Sequence, residues 1–347
     1  MPVHSVANPA LDFLCVDGFI ATLIDARALK TALELGVIDT LLRQPAISFE
    51  ALGHALTIDR TGLRLLIQML AANQVLSERQ GRLRLTKEFQ NALHFRDLLE
   101  TKLDFAGLAM SDFADQFTEM VRQPGRAPLQ GRLLELFDYH RCFDSSIESH
   151  QRTLAWMRLT SSLTRYEAKA CMQLYDFRPH RRALDVGGNS GEFLLQLCKS
   201  HAQLRGTVFD LPLVCEIGME HLLAEPEHER IGFIAADARK ESLPSGYDLI
   251  SFKSMLHDWP EPEALAFLAK AARVLAPGGT LLVFERAPLL PQVSPPFAML
   301  PILLFFRSYR QPSVYTATLD GLGLQDITVQ TITLDTPFFL ITARKPL

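Results

Sequence analysis

Several residues of this chain stand at spacings that could do chemistry. Residues 183–191 read Ala-Leu-Asp-Val-Gly-Gly-Asn-Ser-Gly, an apolar run entering a glycine turn. Glycine suits a backbone that takes positive φ and comes close to a ligand. The helix expected over Glu192–Ser200 would present free N–H groups at its start. Asp210 closes the next apolar run, Leu204–Phe209, where a carboxylate can accept hydrogen bonds from a ribose diol. Asp185, ahead of the turn, would repel a pyrophosphate but suits the ammonium of an amino-acid tail, directly or through water. His257 follows the run Asp248–Phe252 and is the side-chain type that exchanges protons near neutral pH.

The order of the glycines narrows the ligand. A dinucleotide fingerprint needs Gly-x-Gly-x-x-Gly, and Asn189 stands where its second glycine belongs. The chain also lacks the Gly-x-x-x-x-Gly-Lys-Ser/Thr loop of nucleoside triphosphate sites. The ligand that suits the glycine turn, Asp185 and Asp210 together is S-adenosylmethionine. The plainer alternative is a tight strand-to-helix turn with no ligand at all.

Residues 253–259 read Lys-Ser-Met-Leu-His-Asp-Trp, followed by Pro260-Glu261. Together with the glycine turn, Phe209-Asp210-Leu211-Pro212, Ala276-Pro277-Gly278-Gly279 and Val283-Phe284-Glu285, this chain resembles the small-molecule O-methyltransferases. That family includes plant caffeate, hydroxyindole and antibiotic-tailoring enzymes. The resemblance is strong over most of residues 175–345 and rests on pattern alone ahead of them.

It implies His257 as general base, Glu285 as the carboxylate that holds and polarises it, and Asp258 as an orienting neighbour. It also implies Gly187 facing the cofactor, Asp210 with Leu211 at the ribose, Asp237 with Ala238 at the adenine, and Lys253 near the adenosine end. The acceptor would meet Met157 and the apolar stretch Phe297–Phe306, with Met299 and Leu303. The chain departs from the family at Phe306–Pro312, where Tyr309 replaces an acid and the loop's glycines are missing. That departure leaves open C-methylation, or a non-methylating step on the same fold.

These residues need elements to position them. Strands expected near 182–186, 205–209, 231–235, 247–252 and 279–285 alternate with helices, including Glu261–Leu275, so the fold class is α/β: a Rossmann-like, doubly wound parallel sheet. Two further apolar runs, Gln325–Leu334 and Phe338–Ala343, predict an antiparallel end to it. Ahead of this lies a mainly helical region. Ile20–Leu42 reads as one helix with a soft point at Gly36, and Ser48 opens a capped short helix. A helix over Leu63–Asn73 and a hairpin turning at Arg79-Gln80-Gly81 complete a winged-helix order. Residues 95–180 read as mostly helical, with breaks near Gln123-Pro124-Gly125 and Pro128. With the resemblance, residues 1–110 form a winged-helix-like dimerisation domain, 111–176 a helical linker lining the acceptor pocket, and 177–347 the cofactor-binding domain.

Composition bounds the classes. The chain has 347 residues, is 48% apolar and 21% charged, and carries a net charge of −4. This argues against nucleic acid as a partner, although Arg60, Arg64, Arg79, Arg82 and Arg84 in the winged-helix-like segment keep a DNA-binding regulator as a minor alternative. The longest apolar run is too short for a membrane span, which needs roughly 20 residues. No secretory signal is visible, so the expected location is the cytoplasm, with five free, buried cysteines. The histidines show no metal-ligand spacing, so no metal is expected. The apolar N-terminal helices and the resemblance together predict a homodimer acting on a small-molecule acceptor.

Overall fold

The computed structural model describes residues 9–123, 131–289 and 295–347. The breaks expected at Pro124-Gly125 and Pro128 lie outside the described residues. The chain divides into two compact units, Met1–Phe117 with Gln292–Leu303, and Thr118–Pro291 with Leu304–Leu347.

The first unit begins with a 3-10 stretch, Pro9–Phe19, followed by α1 (Leu23–Glu34) and α2 (Val37–Arg43). The single helix expected over Ile20–Leu42 is thus two. Gly36, with φ of 73°, leaves the helical region between them. Next come β1 (Ile47–Ser48), α3 (Phe49–Leu56), α4 (Arg60–Ala72), the hairpin β2 (Leu76–Arg79) and β3 (Arg82–Leu85), α5 (Lys87–Ala92) and α6 (Arg96–Arg122). Side-chain caps set the helix starts. Ser48 Oγ accepts the Ala51 N–H at 3.2 Å, and Asp59 Oδ1 accepts those of Thr61 and Gly62. Gln80 and Gly81 both take positive φ, the turn geometry that matches strand twist. Ile67, Leu70 and Leu76 are buried, so α4 and the hairpin share this unit's core. Strand β1 pairs with β3 over two residues, too few for periodicity to reveal.

The second unit starts with α7 (Arg132–Leu136) and the long α8 (Ile147–Leu174). It then alternates β4 (Arg182–Val186), α9 (Glu192–Ser200), β5 (Arg205–Asp210), α10 (Pro212–Leu222), β6 (Ile231–Ala235), β7 (Leu249–Lys253), α11 (Glu261–Val274) and β8 (Thr280–Arg286). Helix α12 (Leu300–Leu304) belongs to the first unit up to Leu303, and in the second unit α13 (Pro312–Gly321) precedes β9 (Gln325–Thr333) and β10 (Pro337–Arg344). The sheet order is β6-β5-β4-β7-β8-β10-β9. Strands β4 to β8 are parallel to one another, and β10 is antiparallel to both β8 and β9. The chain winds outward from β4 through β5 to β6, then crosses back to β7. Ligands of such sheets sit beyond the strand ends where the winding reverses.

Strand β8 is buried at every position, and β4 at all but its first. Strands covered on both faces read as continuous apolar runs, which is why they were visible in the sequence. Prolines within the first helical positions start α10, α11 and α13. No helix among the described residues is long and apolar enough to cross a membrane. All five cysteines are free. Four are buried as expected, but Cys15 is exposed.

Candidate active site

The glycine turn is shaped by the chain's own atoms. Gly187 has φ of 69°, and its N–H donates to the Phe209 carbonyl at 2.9 Å. A Cβ built on Gly187 would overlap Met255 Cγ, and one on Gly188 would lie 2.8 Å from Asp185 Oδ2. Asn189 takes the left-handed region with φ of 55°, which Asn adopts more readily than most residues. Its side-chain oxygen accepts the Ser190 N–H at 2.8 Å, and its own N–H donates to Asp210 Oδ2 at 2.7 Å. Asparagine therefore serves where the dinucleotide pattern has glycine.

Three acids line the strand ends. Asp210 also accepts the Leu211 N–H at 2.7 Å, yet burial pushes its carboxyl up to about 6 against both backbone donors. Asp185 accepts a hydrogen bond from Ser251 Oγ at 2.6 Å. Burial raises it to about 7, against that bond and the nearby Lys253 charge. Asp237, beside the half-buried Ala238, is gripped by Arg239, with Nε at 2.9 Å and Nη2 at 2.8 Å. Burial opposes its charge, but Arg239 holds the carboxyl below the usual range. Lys253 turns toward α8, where it donates to Thr164 Oγ1 at 2.8 Å and pairs with Glu167. Glu167 also accepts Arg286 Nη2 at 2.6 Å. Burial would raise Glu167, but Lys253 and Arg286 bring it down to about 2. Sequence reading missed Thr164 and Glu167, since nothing local marks a helix residue that will meet a strand end.

His257 lies on a 3-10 turn, Leu256–Asp258, just past β7. Its Nδ1 is 2.7 Å from Glu285 Oε2, and Glu285 Oε1 accepts the N–H groups of Met255 and Leu256 at 2.9 and 2.8 Å. Its Nε2 is 3.4 Å from Asp258 Oδ1, and Asp258 Oδ2 accepts the Tyr139 hydroxyl at 2.7 Å. The imidazole thus sits between two carboxylates. Burial works against its charge, but Glu285 and Asp258 carry it above its ordinary value. Burial would lift Glu285, and His257 holds it low. The Tyr309 ring centre is 5.3 Å from that of His257, and its phenol is raised strongly by burial. Met157 is buried on α8 in a cluster with Trp156 and Leu211. Met299 and Leu303 are half-buried in the first unit.

Two observations test the fit of S-adenosylmethionine. The indole N–H of Trp156 is buried without a partner, a donor that a ligand can satisfy. Among the described residues, no cationic side chain hydrogen-bonds to Asp185 or Asp210, although both ionise near neutral pH. Such carboxylates suit a cationic ligand with free hydroxyls, and a sulfonium nucleoside with an amino-acid tail is one. Trp156 and Tyr139 escaped sequence reading because aromatic residues on helical stretches read as core. One group among the described residues could hold a metal ion: His150, Glu216 and Glu220 on α8 and α10, with ligand atoms within 4.8 Å of one another. Sequence spacing could not show it, because two helices supply it.

Strand order and the glycine turn after β4 define an α/β domain of the methyltransferase class. The O-methyltransferase domain family matches residues 130–295, and the O-methyltransferase dimerisation domain matches residues 18–92. A curated relative, 3-hydroxy-5-methyl-1-naphthoate 3-O-methyltransferase of Streptomyces sahachiroi, is 40% identical over 125 residues, which is 36% of this chain and 35% of that protein. Acetylserotonin O-methyltransferase of Gallus gallus is 25% identical over 291 residues, 80% of each chain. The crystal structure of human N-acetylserotonin methyltransferase in complex with SAM superposes with a TM-score of 0.74 at 23% identity, covering 99% of this chain and 100% of that one. The chain belongs to the S-adenosylmethionine-dependent O-methyltransferase family of enzymes.

Proposed function

We propose that this protein moves a methyl group from S-adenosylmethionine to a hydroxyl of a small aromatic acceptor, with His257 as general base. The observation that carries the reading is the 2.7 Å contact of His257 Nδ1 with Glu285 Oε2, beside an acid-lined glycine turn. S-adenosylmethionine supplies a methyl group on a sulfonium, open to in-line attack. Asp210 accepts hydrogen bonds from the ribose, Asp185 meets the ammonium, and Gly187 lets the turn close over both. Asp237 with Ala238 faces the adenine, and Lys253 orders the wall formed with α8. Glu285 fixes the imidazole so that Nε2 takes the acceptor's proton, and Asp258 steadies the proton once it is there. Met157 and Tyr309 are the acceptor-facing side chains. An aromatic acceptor is supported by the naphthoate relative and by the rings around His257.

The test is incubation with methyl-labelled S-adenosylmethionine and a panel of phenols and hydroxynaphthoates, with the product mapped by mass and methyl position. His257→Ala should lower turnover roughly 10²–10⁴-fold, the usual share of a general base. Full activity in that variant removes the base assignment, and a methyl group on carbon moves the reaction to C-methylation. We also propose a homodimer built through residues 1–110. Leu23, Ile24 and Leu65 are exposed there at 45%, 65% and 60%. A monomer by light scattering at micromolar concentration would remove this part.

A further inference from the structure

The turn that carries His257 is weakly held by its own bonds. Its two internal i→i+3 bonds, Asp258 N–H to Met255 O and Trp259 N–H to Leu256 O, are long at 3.2 and 3.4 Å. It also begins from Ser254 in the left-handed region, with φ of 50°, a costly conformation for a residue other than glycine. Its shape therefore depends on ties from outside. Glu285 supplies one by accepting the Met255 and Leu256 N–H groups.

Arg310 supplies the other. Its Nη1 donates to the Leu256 carbonyl at 3.0 Å, and its Nη2 donates to the Trp259 carbonyl. Those two residues bracket His257 and Asp258. The guanidinium is itself aimed by the Tyr315 hydroxyl, 3.3 Å from Nη1, and by Glu261 Oε2, 3.7 Å from Nε. The Arg310 side chain is 11% exposed, and Tyr315 is buried. A carboxylate thus holds the turn's donors while a guanidinium holds its acceptors.

We propose that Arg310 is a positioning residue for His257, spanning the carbonyls on either side of it and fixing the direction in which Nε2 points. The inference rests on the reading of His257 as the base. A planar guanidinium fork can bridge two carbonyls at fixed spacing, whereas an ammonium is a single point charge. Misplacement of a reacting group by about 1 Å can lower the rate roughly 10²-fold. The hydrogen bonds and ion pair of Arg310 go to Leu256, Trp259, Tyr315 and Glu261, none of them assigned to the cofactor, so its loss should act on turnover and leave cofactor affinity in place.

The test uses the full chain with ring-¹⁵N histidine, and a hydroxynaphthoate as methyl acceptor. The Nδ1–H resonance of His257 is identified by its absence in His257→Gln. In Arg310→Gln this resonance should shift or broaden, while those of His180 and His221 stay. Turnover should fall about 10–100-fold, with the Kd of S-adenosylhomocysteine changed by less than about 3-fold, and Arg310→Lys should recover part of the loss. In a His257→Gln background the Arg310 substitution should add little, because the two act through one group. An unmoved resonance in Arg310→Gln, or an equal rate loss in both backgrounds, overturns the proposal. If Arg310→Gln fails to fold, Arg310→Lys gives the same two readouts. If His257→Gln keeps full turnover, the base reading fails alone, and the resonance still decides whether Arg310 positions the imidazole.

Discussion

Gly187 lies directly against Met255, with the place of its missing Cβ 3.2 Å from Met255 Cβ and overlapping Met255 Cγ. The glycine turn therefore packs directly on the first residue of the histidine turn, and a side chain added at Gly187 disturbs both. Gly187→Ala meets this contact and also a φ of 69°. It should destabilise the chain by about 1–3 kcal/mol, weaken S-adenosylhomocysteine binding and lower turnover together. Thermal unfolding and calorimetric titration of the variant check this. Normal binding with normal stability would show that the contact yields without cost.

Glu285→Gln removes the carboxylate that raises His257. The imidazole's proton affinity should drop, so the acid limb of the kcat/KM profile should move to lower pH. The plateau should fall roughly 10²-fold or more, since glutamine's single carbonyl oxygen cannot serve both the Nδ1–H and the Met255 and Leu256 N–H groups. A pH–rate profile with its acid limb unmoved would mean that the limb belongs to another group.

Asp185→Asn separates ligand binding from stability. In the folded chain Asp185 stands at about 7, above the roughly 3.9 of an unfolded aspartate. Its contribution to stability is full below pH 4 and is lost as pH rises through 7. Asparagine still accepts the Ser251 hydroxyl and carries no charge. The ligand-free variant should unfold at a higher temperature than the parent at pH 8, while S-adenosylmethionine binds at least about 10-fold more weakly, given a lost charge-assisted contact. A lower unfolding temperature at pH 8 would contradict the cost assigned to the buried charge.

Trp156→Phe removes a buried, unpartnered indole N–H. In the ligand-free protein the loss should be nearly neutral or mildly destabilising, because no bond is broken. If the N–H serves the cofactor, the Kd of S-adenosylhomocysteine should rise about 5–10-fold, the worth of one hydrogen bond. Unchanged affinity assigns the orphan donor to packing alone.

Tyr309→Phe keeps the ring beside His257 and removes the hydroxyl. The acceptor's KM should rise several-fold, while S-adenosylhomocysteine affinity holds. A change in cofactor affinity alone would move Tyr309 away from the acceptor.

Residue order reveals the sheet of the second unit and, with the family resemblance, the candidate site residues. Strands buried on both faces are mostly apolar, so β4 and β8 announced themselves, and Gly187, Asp210, His257 and Glu285, expected from the strand pattern together with the family resemblance, lie at or just past strand ends. Local chemistry was legible too, as with the Ser48 cap and the Gln80-Gly81 turn. Tertiary structure alone decided what each side chain meets. It drew Lys253 to Glu167, Tyr139 to Asp258 and Arg310 to the carbonyls around His257. These partners come from distant segments, 51 to 119 positions apart. Periodicity and motif report the backbone path, whereas a hydrogen bond between remote segments depends on packing that exists only once the chain has folded.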